Sequence, residues 1–174
     1  MPRSPRAQPE RMQITAAAER TIDAPAEHLY RLISDFRQHH PNFLPSQFSD
    51  FEIETGGMGA GTVHRFRMTL GGRTTGYRVR VGEPEPGRML IESDASRRMV
   101  TTFTVDPLPS GRALVRIHTR WYTDGFAGLV ERLVAPRLLA RVYRDELRLL
   151  DRYARGDLSR RVTAPSALPW ASAR

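Results

Sequence analysis

The sequence predicts an α+β domain in which a strongly curved antiparallel sheet is closed by one long C-terminal helix. Three observations carry the prediction. Seven segments alternate between apolar and polar residues, a Gly71-Gly72 hairpin joins two of them, and one amphipathic stretch runs from about Gly125 to Ala154. A sheet wrapped on a single helix tends to leave a hollow rather than a solid core. A hollow of apolar side chains with a few polar groups is the usual form of a small-molecule site, on the order of 300 Å³ or more.

Gln13 to Ile22 reads as the first strand, with three alanines at its centre. Asp23-Ala24-Pro25 then makes a turn, with Asp23 placed to cap a helix and Pro25 in its first turn. Leu29, Leu32, Ile33 and Phe36 recur at helical spacing through that helix. Two prolines bracket a short turn from His39 to Pro45. Phe51 and Ile53 alternate with Glu52 and Glu54, and the glycines from Gly56 to Gly61 follow as a connector. The next strand sets His64, Phe66, Met68 and Leu70 against Arg65 and Arg67, and the one after the hairpin sets Tyr77, Val79 and Val81 against Arg78 and Arg80. Met89 and Ile91 alternate with Glu92 and Asp94 on the fifth strand. Met99, Thr101, Phe103 and Val105 form the inward set of the sixth; Val115, Ile117, Thr119 and Trp121 form that of the seventh. Asp124 is placed to cap the final helix, whose apolar face holds Phe126, Leu129, Val130, Leu133, Val134, Leu138, Val142 and Leu149. Pro136 interrupts its hydrogen bonding. It either fixes a kink or hinges the first half, Gly125 to Ala135, as a gate.

Composition narrows the partners. The chain of 174 residues suits one domain, residues 12–154, between a basic tail at 1–11 and a second at 155–174. No apolar run approaches the roughly 18 residues of a membrane span, and the N-terminus has no apolar leader core. The absence of cysteine excludes disulfides and thiolate chemistry and fits a cytoplasmic address. All 27 basic residues are arginine, which excludes Schiff-base catalysis and a phosphate-loop lysine. The net charge of +8 lies largely in the tails, so no concentrated basic footprint for nucleic acid stands on the domain. The five histidines show no metal-ligand spacing, and no cofactor motif is present.

Ile22-Asp23-Ala24-Pro25-Ala26-Glu27, Asp35, the Gly56–Thr62 connector, the passage His118–Gly125, and Leu147 with Leu149-Leu150 stand in an order that resembles the SRPBCC superfamily. That superfamily includes START lipid-transfer domains, birch-pollen-type allergens and polyketide cyclase/dehydrase-like proteins. The resemblance spans about residues 12 to 154. It implies a helix-grip fold, a seven-stranded sheet around the C-terminal helix with an apolar cavity between, and a hydrophobic ligand of lipid, polyketide or aromatic type. It implies no shared catalytic motif.

The expected cavity wall is therefore His64, Phe66, Met68, Tyr77, Val79, Met99, Thr101, Phe103, Thr119, Trp121, Phe126, Leu129, Val130 and Leu133. His64 and Tyr77 are the candidate acid–base pair, an imidazole and a phenol able to orient a carbonyl. Binding of a hydrophobic small molecule is the leading expectation, and a cyclase/dehydrase-type enzyme is the alternative. A third class is a protein-interaction module using the outer face, where Arg65, Arg67, Arg78 and Arg80 are expected beside Glu52, Glu54, Glu92 and Asp94. Oligomeric state is not legible.

Overall fold

Alternation sets the sheet. β1 (Met12–Ile22), β2 (Phe48–Thr55), β3 (Val63–Leu70), β4 (Arg73–Glu85), β5 (Met89–Asp94), β6 (Met99–Leu108) and β7 (Arg112–Thr123) pair antiparallel in the order β1-β7-β6-β5-β4-β3-β2. Helix α1 (Ala26–Ser34) and a 3₁₀ turn (His40–Phe43) fill the β1–β2 connection, and α2 (Gly128–Ala154) follows β7. This computed structural model describes residues 12–123 and 128–156, with side chains for 13–122 and 134–156. The seven-stranded curved sheet with one long C-terminal helix is the helix-grip fold. Asp124 and Phe126, and with them the expected cap and the start of the expected gate, lie outside the described residues. Both tails do too, except Arg155 and Gly156, which turn the chain at the end of α2.

The core sits between the inner sheet face, α1 and the second half of α2. Leu29 and Ile33 of α1, Val79, Leu90 and Ile117 of the sheet, and Leu147 and Leu150 of α2 are all buried. Each such side chain contributes about 1.5–3 kcal/mol by leaving water. Asp151, itself buried, receives Arg20 of β1 at 2.7 Å and ties the end of α2 to the sheet edge.

Two local details of α1 differ from expectation. Pro25 is the N-cap itself, and no side chain caps the first turn. Asp23 stands two residues before that cap, too far back to reach the first free amides. The Gly-rich connector packs on the other end of α1: Phe36 N donates to Gly57 O at 3.0 Å and Gly59 N to Ser34 O at 2.9 Å. Gly57 (φ +126) and Gly59 (φ +54) have left-handed backbones, and a Cβ there would collide with Arg37 and Glu83.

Two phases differ from the sequence reading, and both matter for function. On β5 the buried set is Leu90, Glu92 and Asp94, while Met89 and Ile91 are only half-buried. Pairing decides this: Leu90 lies opposite Phe103 and Glu92 opposite Thr101, and the inward side of β6 is Thr101, Phe103 and Val105. Glu92 and Asp94 therefore leave the outer face, where Arg65 pairs with Glu52 and Arg78 with Glu54 as expected. On α2 the buried stripe is Leu139, Val142, Tyr143, Glu146, Leu147 and Leu150. Val134 is exposed, and Leu138 and Leu149 flank the stripe.

Candidate functional site

Four elements converge on one interior point. β3 alternates cleanly, so His64, Phe66 and Met68 all face inward. β5 contributes Glu92, the 3₁₀ turn contributes His40, and α2 contributes Tyr143 and Glu146 one turn apart. With Met99, Thr101 and Phe103 of β6, and Leu44, Phe48 and Phe51, they line a cavity of about 30 Å³. That is room for about one water. Rings and thioethers of the described residues leave only this small space at that point.

The imidazoles are held by these rings. His64 stacks on Phe36 and meets Phe51 at a tilt, with both centroids 4.8 Å away. His40 stacks on Phe36 at 4.8 Å. His40 Nδ1 lies 2.7 Å from Ile33 O; a carbonyl only accepts, so Nδ1 carries the proton. His64 Nε2 lies 3.3 Å from Glu92 Oε1 and donates to it. His64 Nδ1 is buried with no hydrogen-bond partner among the described residues. A buried orphan of this kind costs free energy.

The two glutamates titrate in opposite directions. Burial opposes ionisation of Glu92, but the hydrogen bond from His64 and the electrostatic pull of the His64 and His40 rings outweigh it and hold the carboxyl below its ordinary range. Glu146 is buried beside it without a hydrogen-bonding partner among the described residues. Burial first, and the charge of Glu92 second, push its carboxyl well above the ordinary value. His40 is pushed down, chiefly by burial. Beside them runs a hydroxyl chain, Thr101 Oγ1 to Thr119 Oγ1 at 2.8 Å and Thr119 Oγ1 to Tyr143 OH. The Tyr143 phenol is pushed up by burial, so it stays protonated. No three His, Asp or Glu side chains among the described residues gather as metal ligands.

The residues singled out from sequence fall into four groups. His64, Phe66, Met68, Met99, Thr101 and Phe103 line the cavity. Thr119 stands behind Thr101, Val79 is in the core, and Trp121 packs half-buried against the core. Tyr77 stacks on Phe66 at 5.2 Å beneath the Arg97 guanidinium, in a groove open to solvent rather than beside His64. Phe126 is outside the described residues; Leu129, Val130 and Leu133 belong to α2, but their side chains are outside the description. Sequence reasoning missed His40, Glu92, Tyr143 and Glu146. For Glu146 a signal existed: Leu139, Tyr143, Glu146 and Leu150 recur at helical spacing.

Residues 13–155 match the family described as polyketide cyclase/dehydrase and lipid transport. The chain belongs to that family. Among solved structures, the KanY protein is similar with 28% identity and a TM-score of 0.74, over 83% of this chain and 99% of that one. The TTHA0849 protein of Thermus thermophilus is similar at 20% identity and a TM-score of 0.68, over 82% and 97%. The Zhui aromatase/cyclase from Streptomyces sp. R1128 is similar at 17% identity and 0.64, over 90% and 100%. The latter two likenesses show a common fold alone. No curated protein matches the chain. Membership supports binding of hydrophobic ligands in general, and no helix among the described residues is long and apolar enough to cross a membrane.

Proposed function

We propose that this protein binds a hydrophobic, ring-containing small molecule between the sheet and α2, with His64, Glu92 and Glu146 as its polar handles. The observation that carries the reading is the orphaned His64 Nδ1, set in an apolar, aromatic-lined interior and oriented through Nε2 by Glu92. Such a group is costly in a solid core and useful in a site. The cavity is closed by side chains rather than backbone. Phe48, Phe51 and Met99 are half-buried, and methionine adapts readily to irregular shapes, so admitting a ring would require these side chains to change rotamer.

Native mass spectrometry of protein purified from its own host tests this directly, with a retained hydrophobic molecule as the expected result. A Met99→Trp variant should lose that molecule because the indole fills the cavity. Equal retention by the variant would place binding elsewhere and sink the proposal.

A second reading adds chemistry at the same place. With its Nε2 proton donated to Glu92, His64 presents a bare Nδ1 able to take a proton from a carbon or hydroxyl beside a ligand carbonyl, as in cyclisation or dehydration. His64→Ala and Glu92→Gln should then lower turnover by about 10²-fold or more. Tyr77→Phe should leave it unchanged, since that phenol is outside the cavity. Unchanged turnover in His64→Ala would leave binding alone.

A further inference from the structure

The polar groups around the cavity form an unbalanced set. The His40 Nδ1 proton is spent on Ile33 O and the His64 Nε2 proton on Glu92. The hydroxyls of Thr101, Thr119 and Tyr143 share two hydrogen bonds, which use two of their three protons and leave one. What remains for a ligand is mainly acceptors: His64 Nδ1, His40 Nε2 and the oxygens of two glutamates. Among the described residues no guanidinium lines the cavity, in a chain with 27 basic side chains. Around the acceptors stand the rings of Phe48, Phe51, Phe66, Phe103 and Tyr143. An acceptor-rich, acidic pocket walled by aromatic faces is complementary to a cation that carries N–H donors.

We propose that the ligand's ring system carries a protonated amine, and that Glu146 is the carboxylate that receives it. This rests on the ring-binding reading above and narrows its ligand class. Glu92 is less suited, because its Oε1 already accepts from His64, whereas Glu146 makes no hydrogen bond among the described residues. The groups facing Glu146 are Glu92 on β5, His64 on β3, His40 in the 3₁₀ turn, and Tyr143 on its own helix. Burial and the charge of Glu92 push the Glu146 carboxyl toward its protonated form. An incoming ammonium reverses the balance: the Glu146 O–H bond breaks, its proton leaves to solvent, and the carboxylate pairs with the ammonium. No other bond changes.

The choice between the glutamates is therefore measurable. An ammonium received by Glu146 releases a proton, while one received by the already ionised Glu92 releases none. Calorimetric titration of the full chain at pH 7, in buffers of different ionisation enthalpy, counts that proton. The probes are 2-phenylethylamine and its neutral counterpart 2-phenylethanol. The amine should bind about tenfold tighter or better, with release of up to one proton. Glu146→Gln should erase both the preference for the amine and the proton release. Equal affinity for the two probes, or no proton release with the amine, overturns the assignment, and the wild-type protein alone decides this if the variant fails to fold. Failure of both probes to bind removes the ring-binding reading, and the amine with it.

Discussion

On the outer sheet face Arg65 meets Glu52 at 2.5 Å and Arg78 meets Glu54 at 2.6 Å, with 55% and 64% of the two arginine side chains in solvent. On the inner face of the same sheet His64 meets Glu92 at 3.3 Å with 1% and 9% exposed. The outer contacts are shorter, yet water and salt screen them, and holding two long side chains together costs entropy. The inner contact is longer, but each partner has given up its solvation, so neither has an alternative. Distance is thus a poor guide to importance here, and burial a better one. The difference also explains why charge on one face can be rearranged freely while charge on the other is tied to the site.

The comparison can be broken hardest by removing the ring that supports both imidazoles. Phe36 is fully buried and stacks on His40 and His64. Phe36→Ala should cost about 3–5 kcal/mol in a urea melt, the range for an aromatic deleted from a core. A loss near zero would mean that the histidines are held by something other than ring packing.

Next comes Glu92→Gln, which keeps the shape and removes the charge. At neutral pH it should cost about 1–3 kcal/mol, as expected when a buried hydrogen bond loses its charged partner. The pH dependence has a definite sign. The folded-state value of Glu92 is depressed, so its contribution is fully present above the ordinary carboxylate value of 4.5 and is lost as pH falls through the folded value. The gap between wild type and variant should therefore close on acidification. A gap that stays constant would mean that the carboxylate charge does not support the fold.

Glu146 should move the other way. Its folded-state value is raised, so the unfolded chain ionises first as pH climbs above 4.5 and the native state is progressively penalised. Replacing it by leucine removes an unpaired polar group from an apolar setting. Glu146→Leu should stabilise the protein by about 1–2 kcal/mol at neutral pH. The gain should grow with pH above 4.5 and should accompany loss of ligand binding. Destabilisation instead would show that the glutamate has a partner within the fold.

Why was the fold legible and the site only partly so? β3 reads cleanly because Arg65 and Arg67 separate His64, Phe66 and Met68, leaving one parity that buries apolar groups. β5 does not, because Met89, Leu90 and Ile91 are apolar in succession and either parity buries something. The rule that carboxylates face water then selects the wrong one. Only the pairing with β6, which is a long-range fact, puts Leu90 and Glu92 inside. On α2 the apolar residues are broad enough to permit two phases, and the same prejudice against a buried acid hid Glu146. Sequence pattern follows the majority of buried side chains, whereas the groups proposed here to act are the minority that violate it.

The smallest effect expected is on the outer face, and it matters because a null there is informative only beside the interior results. Glu52→Gln removes the carboxylate facing Arg65, and Glu54→Gln the one facing Arg78. The Arg78 hydrogen bond, helped by its charge, lowers the Glu54 carboxyl, so some interaction exists, but the pair lies on the solvent-facing side of the sheet. Both variants should melt within error of wild type at physiological salt and bind the interior ligand unchanged. A small loss that appears only at low ionic strength would match a screened surface pair. A loss that persists in high salt, or one that weakens ligand binding, would mean that the outer ladder holds the curvature of β2 to β4. In that case the clean separation of the two faces argued above would fail.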